Sequence, residues 1–562
     1  VHYVTEPNGI DFKGKPVILK SSDPTNPAIV ASTIIDCLGS RDNPKRAFHF
    51  YSGETRDTIV AGFTITNGFA TGPVGGLRMT DITEPDEPGD PDNTDPTDDT
   101  AGAGTDGAHS PYFFDPATQD MDPNGNGYGG AVFCENASSP TIMNCVITNS
   151  TVTGAKGGDG INGGVGGNGY GYGCGGAVAA IESSSPALID CQIVGNSAHG
   201  GIGGSGSAGG AGIGAGKGGG LYYSNGSNVE LENCVFENNT AAQPLAGMQI
   251  IDTAADTTGT ADGSTVEYVE DGDVIIYGNI AGGAIYYDSS ANDDPNAAGI
   301  EFRKVQIAGC SFTGNSAYEQ LYVNVELENT LAIDFGIEPV FYNTTVDVYT
   351  RGGAIYVDPN TQVDISDCEF VENLGGALFT DPNCQVTVNN CLFKGNELVN
   401  KIDPLGDRYH PAALVEDASA DDTQQTDQTD QQQTDGEVAQ EETLSFDLSQ
   451  WDHYKEDRPL SSGAAMFVGA EGTLTVADTR FAVNSASDNG GAVVTQSQSA
   501  EFTNCSFNGN DASDFGGAVA AYGQHDPNFM TVPLQKLDFT NCNLAGNSGH
   551  WGGAVYAKDV DA

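Results

Sequence analysis

The chain has 562 residues, 77 acidic against 21 basic side chains, a formal charge of −56, 76 glycines and only 38% hydrophobic residues. Such a charge repels nucleic acid and anionic membrane surfaces. No apolar run reaches the roughly 18 residues of a membrane-crossing helix, and the Leu/Glu/Lys heptads of a coiled coil are absent. A soluble, acidic, glycine-punctuated repeat protein remains. It begins at Val1 without an initiator Met or an apolar leader, which points to a processed or longer chain.

In chain order, residues 1–80 read as the first coils of the repeat described below. Residues 81–127 form an acidic low-complexity insertion, and stretch 83–107 has the composition of disorder. Near its end, Asp120-Met121-Asp122-Pro123-Asn124-Gly125-Asn126-Gly127 sets oxygen ligands at alternate positions and then a glycine, like the first half of a calcium loop. Ala131 stands where an EF-hand needs Glu, so that motif is excluded. Asp120, Asp122, Asn124 and Asn126 are candidate calcium ligands in a site closed by other loops. The alternative is an Asn/Gly turn without metal.

From residue 128 two signatures alternate. Gly-Gly-Ala-hydrophobic-aromatic begins at Gly129, Gly175, Gly282, Gly352, Gly375, Gly490, Gly516 and Gly552, with looser copies at Gly75, Gly218 and Ser462. Cys-x-[Phe/Ile/Leu]-x-x-Asn runs from Cys191 to Asn196, Cys234 to Asn239, Cys310 to Asn315, Cys368 to Asn373, Cys391 to Asn396, Cys505 to Asn510 and Cys542 to Asn547. Cys145 leads a copy ending in Ser150, and Thr479 takes the Cys place before Asn484. The Gly-Gly to Cys spacing is nearly constant, whereas the Asn to Gly-Gly spacing varies widely. A unit this short cannot hold two helices. Runs such as Gln362-Val363-Asp364-Ile365 alternate with period two. Three short strands and three turns per unit predict one coil of a parallel β-helix, with like positions stacked about 4.8 Å apart. The Cys and Phe rows then point inward, and the Asn rows sit at bends in left-handed conformation. Cys37, Cys134, Cys174 and Cys384 lie off the register. The cysteines read as a buried column of thiols or as a disulfide network.

The insertions fall at one point of the coil and so on one edge of the solenoid. The two glycine-rich ones before Gly175 and Gly218 read as loose linkers or as extended strands in close backbone contact. The inserts at 241–281 and 317–350 read as β-hairpins or as a small β-subdomain. Residues 128–396 are thus β-helix with glycine-rich and hairpin insertions. Residues 397–461 are an acidic, Gln-rich insertion, and 462–562 are C-terminal coils expected to continue beyond Ala562.

Gly352-Gly353-Ala354-Ile355 and Phe370-Val371-Glu372-Asn373 resemble the polymorphic outer-membrane-protein repeats and secreted right-handed β-helices of the pectate-lyase-like superfamily. The stretches from Gly9 to Leu19 and from Gly62 to Gly68 resemble first coils of such proteins. The resemblance implies an all-β, right-handed parallel β-helix (solenoid), with its long loop and β-hairpin insertions on one edge. It also implies a secreted or cell-surface, often adhesive, role.

Catalytic motifs are weak. Trp451-Asp452-His453 departs from the lyase spacing, and it lies inside an insertion. No strand carries clustered Lys or Arg for β-elimination, and Gly203-Gly204-Ser205-Gly206-Ser207 is not on a nucleophile elbow. None of the eight His residues has a metal-spaced partner. Tyr222, Tyr223, Tyr286, Tyr287 and Tyr356 follow Gly-Gly at a fixed offset, which favours ladder stacking over a carbohydrate platform. The expectation is a non-catalytic, extracellular structural or adhesive protein, calcium-stabilised and self-associating end to end or through its edge insertions. An extracellular polysaccharide or cell-surface ligand is a further expected partner. A polysaccharide lyase or hydrolase and a monomeric carbohydrate-binding adhesin are the alternatives.

Overall fold

The computed structural model describes residues 1–6, 8–73, 125–159, 167–205, 212–224, 226–245, 280–289, 303–317, 351–398, 463–523 and 536–558, and the backbone of 114–115, 120–121, 248–252, 266–270, 274–276, 318–327 and 340–349. The chain forms two units. The larger comprises Val1–Glu319, Tyr349–Val399 and Ser461–Ala562, and the smaller Gln320–Val348 and Asn400–Leu460. In the smaller unit the described backbone belongs to two neighbouring strands, the continuations of Ser316–Leu327 and Val340–Tyr349.

The larger unit is a parallel β-helix. Among the described residues its first sheet, entered after Gly-Gly-Ala, has eleven strands from Phe48–Phe50 to Val555–Lys558; the second has eleven, from Ile18–Lys20 to Lys536–Thr540; the third has twelve, from His2–Tyr3 to Asn543–Ala545. Motif copies sit directly over one another. In the third sheet Phe236 pairs with Phe312, Phe312 with Phe370, Phe370 with Phe393, Phe393 with Phe481, and Phe481 with Phe507. These six rings are fully buried and stack at 4.8, 4.8, 4.6, 5.1 and 4.7 Å. Parallel pairing of identical residues makes such ladders unavoidable, and each buried ring contributes about 2–3 kcal/mol of hydrophobic stabilisation.

Two details depart from the pattern read in the sequence. First, a short fourth strand follows the motif Asn, as in Thr151–Thr153, Ser197–His199 and Thr240–Ala242, and again in Ser485–Ala486 and Asp511–Phe515. The run after Asn stays extended because its backbone finds partners one coil away: the Ser197 N–H donates to the Ser150 carbonyl at 2.9 Å. Second, the left-handed residue is not the motif Asn but the one before it. Asn149, Asn238 and Gly314 have φ of 52°, 53° and 60°. A matching left-handed residue precedes each motif Cys, at Asn144, Asp190, Asn233 and Asp367 among others. Asn, Asp and Gly dominate these corners because they enter the left-handed region at least cost. Val483 stands in one of them at φ 50°.

Turning the corner one residue early points the motif Asn inward. Asn196, Asn239, Asn315, Asn373, Asn396, Asn484 and Asn510 are buried. They form one hydrogen-bonded ladder that runs on to Asn547. At Asn373, Oδ1 accepts both the backbone N–H and the Nδ2 of Asn315 at 3.1 Å. Its Nδ2 donates to Asn396 Oδ1 at 2.9 Å and to the Phe312 carbonyl at 3.0 Å. Every amide valence is used, as buried polar groups require. Ser150 starts the ladder, its N–H donating to Asn196 Oδ1 at 3.0 Å.

All twelve cysteines are free. Cys191, Cys234, Cys310, Cys368 and Cys391 occupy one interior column. The N–H of Cys234, Cys310 and Cys368 each donates to the next sulfur at 3.3–3.4 Å. Thr479 fits the same place because its Oγ1 accepts from the Cys391 N–H at 3.3 Å and donates to the Ala477 carbonyl at 2.7 Å. The Cys310 and Cys368 thiols are pushed up to about 12, first by the hydrogen bond with the neighbouring sulfur and then by burial.

The glycine-rich inserts take the second of their two readings. They stack as parallel backbone: Gly169 and Tyr170 pair with Gly212 and Ile213, and Gly173 and Cys174 with Gly216 and Lys217. A Cβ on Gly169 would stand 2.0 Å from the Ile202 carbonyl oxygen, so glycine is what permits this approach. The hairpin expected between 241 and 281 is present as Met248–Asp252 paired antiparallel with Val266–Glu270. Val274–Ile276, read with it, instead joins the glycine strands parallel to Gly212–Gly214.

Candidate functional site

Alternate residues of the first sheet point away from the core. They form a second aromatic column, Tyr222, Tyr286, Tyr356, Phe379 and Phe467, with ring spacings of 5.8, 4.8, 5.4 and 4.5 Å. At Ala179 the column lacks a ring, and Tyr128 fills the gap, stacked on Phe133 at 5.5 Å and 6.1 Å from Tyr222. These outward rings are buried nonetheless, packed with Cys174 and Ala281 of the inserts and with Tyr128 and Tyr172. The ladder reading of the tyrosines therefore holds. Tyr223 and Tyr287 are in the core proper, and Tyr287 donates to the Ser227 carbonyl at 3.0 Å.

A carboxyl row lies beside this column, because the residue that follows each of three successive first-sheet strands is aspartate. Each phenol donates to the carboxylate one coil on: Tyr222 to Asp288 at 2.6 Å, Tyr286 to Asp358 at 3.3 Å, and Tyr356 to Asp381 at 2.6 Å. Lys217, on the insert strand Gly216–Lys217, holds its Nζ over Tyr172 at 4.3 Å and Tyr286 at 4.9 Å. Arg351 lies over Phe379 at 4.9 Å. Such cation–π contacts strengthen when water is excluded. Burial, and then the neighbouring Asp288 carboxylate, hold the Asp358 carboxyl well above the usual range. Against burial, which works the other way, the Asp288 carboxylate leads the groups that keep the Lys217 ammonium above its ordinary value. From sequence alone the Asp-Pro-Asn stretches at Asp358 and Asp381 read as turns or weak metal ligands, not as members of a row with Asp288. The signal was present, since Asp288, Asp358 and Asp381 share one offset from the strand start.

The outer face of the second sheet carries two shallow grooves of about 390 and 340 Å³ that share Glu230 and Gln306. Arg303 and Lys304 line the smaller, as does Arg56, which is paired with Glu230 at 2.7 Å. Farther along, this face is mostly uncharged and polar, with Gln362, Gln385, Thr387, Thr473, Thr475 and Ser499 in register.

Of the proposed calcium ligands, Asp120 lies on a short strand, Asp120–Met121, paired antiparallel with Phe114–Asp115. Asp122 and Asn124 are outside the described residues. The Asn126 amide accepts the Tyr172 N–H at 2.9 Å and donates to the Tyr128 hydroxyl at 3.2 Å. Among the described residues, no three His, Cys, Asp or Glu side chains converge as a metal site. Trp451, Asp452 and His453 are outside the described residues, as are the acidic tracts 83–107 and 416–442. His199 Nδ1 lies 3.1 Å from the Gln243 carbonyl. The Ser205 N–H is bound to Asp159 at 2.8 Å. No described helix is long and apolar enough to cross a membrane.

A family model described as a right-handed beta helix region matches residues 260–405. No curated protein and no solved structure matches the chain. Stacked parallel sheets and family match agree on one statement: this chain folds as a right-handed parallel β-helix.

Proposed function

We propose that the protein is a non-catalytic structural or adhesive scaffold of the cell surface or extracellular space. The observation that carries this reading is the use of the interior: cysteine, phenylalanine and asparagine columns are spent on coil-to-coil contact. The burial of nearly all thiols suits an oxidising compartment, because a buried thiol escapes reaction. Self-association, end to end or through the edge inserts, and stabilisation by calcium belong to the same reading. Their support is the unpaired backbone that any solenoid presents at an end and the charge of −56. Electron microscopy and light scattering of the full chain, with calcium and with chelator, are expected to show ordered filaments or sheets that weaken on chelation. Monodisperse single particles under both conditions would sink the assembly reading.

A second reading rests on the second-sheet groove, where Arg56, Arg303 and Lys304 stand beside Glu230 and Gln306. That mix suits a polysaccharide-binding or polysaccharide-cleaving surface. Binding to a glycan array that is lost in an Arg303→Ala/Lys304→Ala variant would favour it. Release of unsaturated or reducing ends would make it an enzyme.

A further inference from the structure

The two grooves of the second sheet differ in charge, and the difference runs along its strands. Across the paired strands Val229–Glu232 and Arg303–Ala308, Lys304 stands near one end, Glu230 faces Gln306 in the middle, and Glu232 faces Ala308 at the other end. Asp367 lies just past Ser366, the partner of Ala308 on the next strand. Arg56, Arg303 and Lys304 line the smaller groove with one acid, Glu230. Glu230, Glu232 and Asp367 line the larger, and no cation stands among its lining residues. Lys304 and Ala308 are four residues apart, so the basic and acidic ends are separated by about 13 Å along the strand.

The charges at the two ends are not spent inside the molecule. Arg56 pairs with Glu230 at 2.7 Å, which neutralises the one acid of the basic groove. Arg303 and Lys304 make no ion pair among the described residues, although acids outnumber bases 77 to 21 in the chain. Arg303 Nε is shielded from water and has no hydrogen-bond partner. A ligand therefore meets this guanidinium through its two terminal nitrogens, a fork that matches the two oxygens of a carboxylate. The start of the strand is held in place: the Lys304 N–H donates to Asn228 Oδ1 at 3.2 Å, and the Asn228 N–H donates to Ser185 Oγ at 2.8 Å. At the other end Asp367 Oδ1 accepts only an amide proton, from Asn390 Nδ2 at 2.7 Å, and Glu232 makes no ion pair among the described residues.

We propose that the two grooves form one dipolar cleft for a short peptide lying along the strands, its carboxylate at Arg303 and Lys304 and its ammonium at Glu232 and Asp367. An extended tetrapeptide with free ends separates its two charges by about 13 Å, the span of the cleft. Its chain direction is antiparallel to the strands beneath it. A uniformly anionic chain crossing the sheet would lay its next charge among Glu230, Glu232 and Asp367, at a cost in like-charge repulsion. No aromatic side chain is among the described residues lining either groove, so the flat apolar face on which a sugar ring packs is missing. This occupant is independent of the scaffold reading and competes with a glycan for the same surface.

Saturation-transfer NMR of the full chain, titrated at low salt with tetra-alanine, tests this. Acetylating the amino end or amidating the carboxyl end of the peptide should each weaken binding by about fivefold, the factor carried by one exposed ion pair. Glu232→Gln should abolish the effect of acetylation and leave that of amidation. Lys304→Gln should do the converse. Both side chains are exposed, and the end-blocked peptides test the wild-type chain without any substitution. Absence of saturable binding, or binding indifferent to blocked ends, would overturn the cleft. So would preferential binding of a neutral or uniformly anionic oligosaccharide, which would return the groove to the glycan reading. The scaffold reading stands under each of these results.

Discussion

Replacing Asn373 by Ala isolates the asparagine ladder from the hydrophobic columns beside it. The substitution deletes four side-chain hydrogen bonds: two accepted from Asn315, one donated to Asn396 and one to the Phe312 carbonyl. It leaves Asn315 Nδ2, the Asn315 N–H and the Phe312 carbonyl without these partners at buried positions. Each buried group so orphaned costs about 1–3 kcal/mol, and a water that enters the vacated space recovers part of it. The sum is about 4 kcal/mol, large against the stability of a single coil interface. Asn373→Ser is the matched comparison. Ser150 shows that a hydroxyl at this register keeps the backbone bond, with its N–H on Asn196 Oδ1, and accepts from the preceding coil through Oγ, from the Gly68 N–H at 3.3 Å. It should cost about half as much. Asn504→Ala, at an exposed left-handed corner (φ 55°) where Nδ2 reaches Asp478 Oδ1 at 3.0 Å, should cost about 1 kcal/mol, chiefly as backbone strain, and so far less than Asn373→Ala. A solenoid need not unfold as one unit, so urea titration should be paired with hydrogen exchange across residues 361–398. A cost under about 1 kcal/mol for Asn373→Ala, or equal costs for Ala and Ser, would refute the view that saturated amide valences hold the coils together.

Four further outcomes follow from particular contacts. Phe393→Ala removes a fully buried ring stacked at 4.6 and 5.1 Å on its neighbours and should cost about 3–5 kcal/mol by chemical denaturation. Val483 is 55% exposed and sits at φ 50°, so Val483→Gly relieves strain with little loss of packing and should raise the unfolding free energy by about 1 kcal/mol, seen as a higher urea midpoint; an unchanged or lower midpoint would contradict the strain. Maleimide labelling of the native protein should modify Cys542, the one partly exposed cysteine, well before the other eleven, which react only in denaturant. The thiols are raised from 9.0 to about 12 at Cys37, Cys310 and Cys384, so the folded state should lose stability as pH rises from 9 toward 12, seen as a falling urea midpoint.

The fold was legible because parallel in-register pairing translates directly into sequence: a residue that needs its own kind one coil away must recur. Cys191, Cys234 and Cys368, which repeat at constant distance from Gly-Gly, do lie in one interior column. The bend geometry was missed for a local reason. A left-handed corner and a buried amide both favour Asn, and Asn149-Ser150 or Asn238-Asn239 places the two roles side by side, so composition alone assigns them to the wrong member. The short fourth strand escaped because runs such as Thr240-Ala241-Ala242 have little β propensity of their own and are extended only through pairing across coils. The candidate site was half legible. The tyrosines announce themselves by offset, whereas the fitness of Lys217 depends on an insert folding back over a sheet, which no spacing in the chain encodes.

The coil from Gly352 to Leu374 carries no insert, and its Asn ladder step is 23 residues. Excising that stretch would seat Phe312 on Phe393 and Asn315 on Asn396, matching what each had before. The molecule is therefore measured in whole turns of winding, and its phenylalanine and asparagine columns can be shortened or extended by genetic arithmetic that keeps like on like.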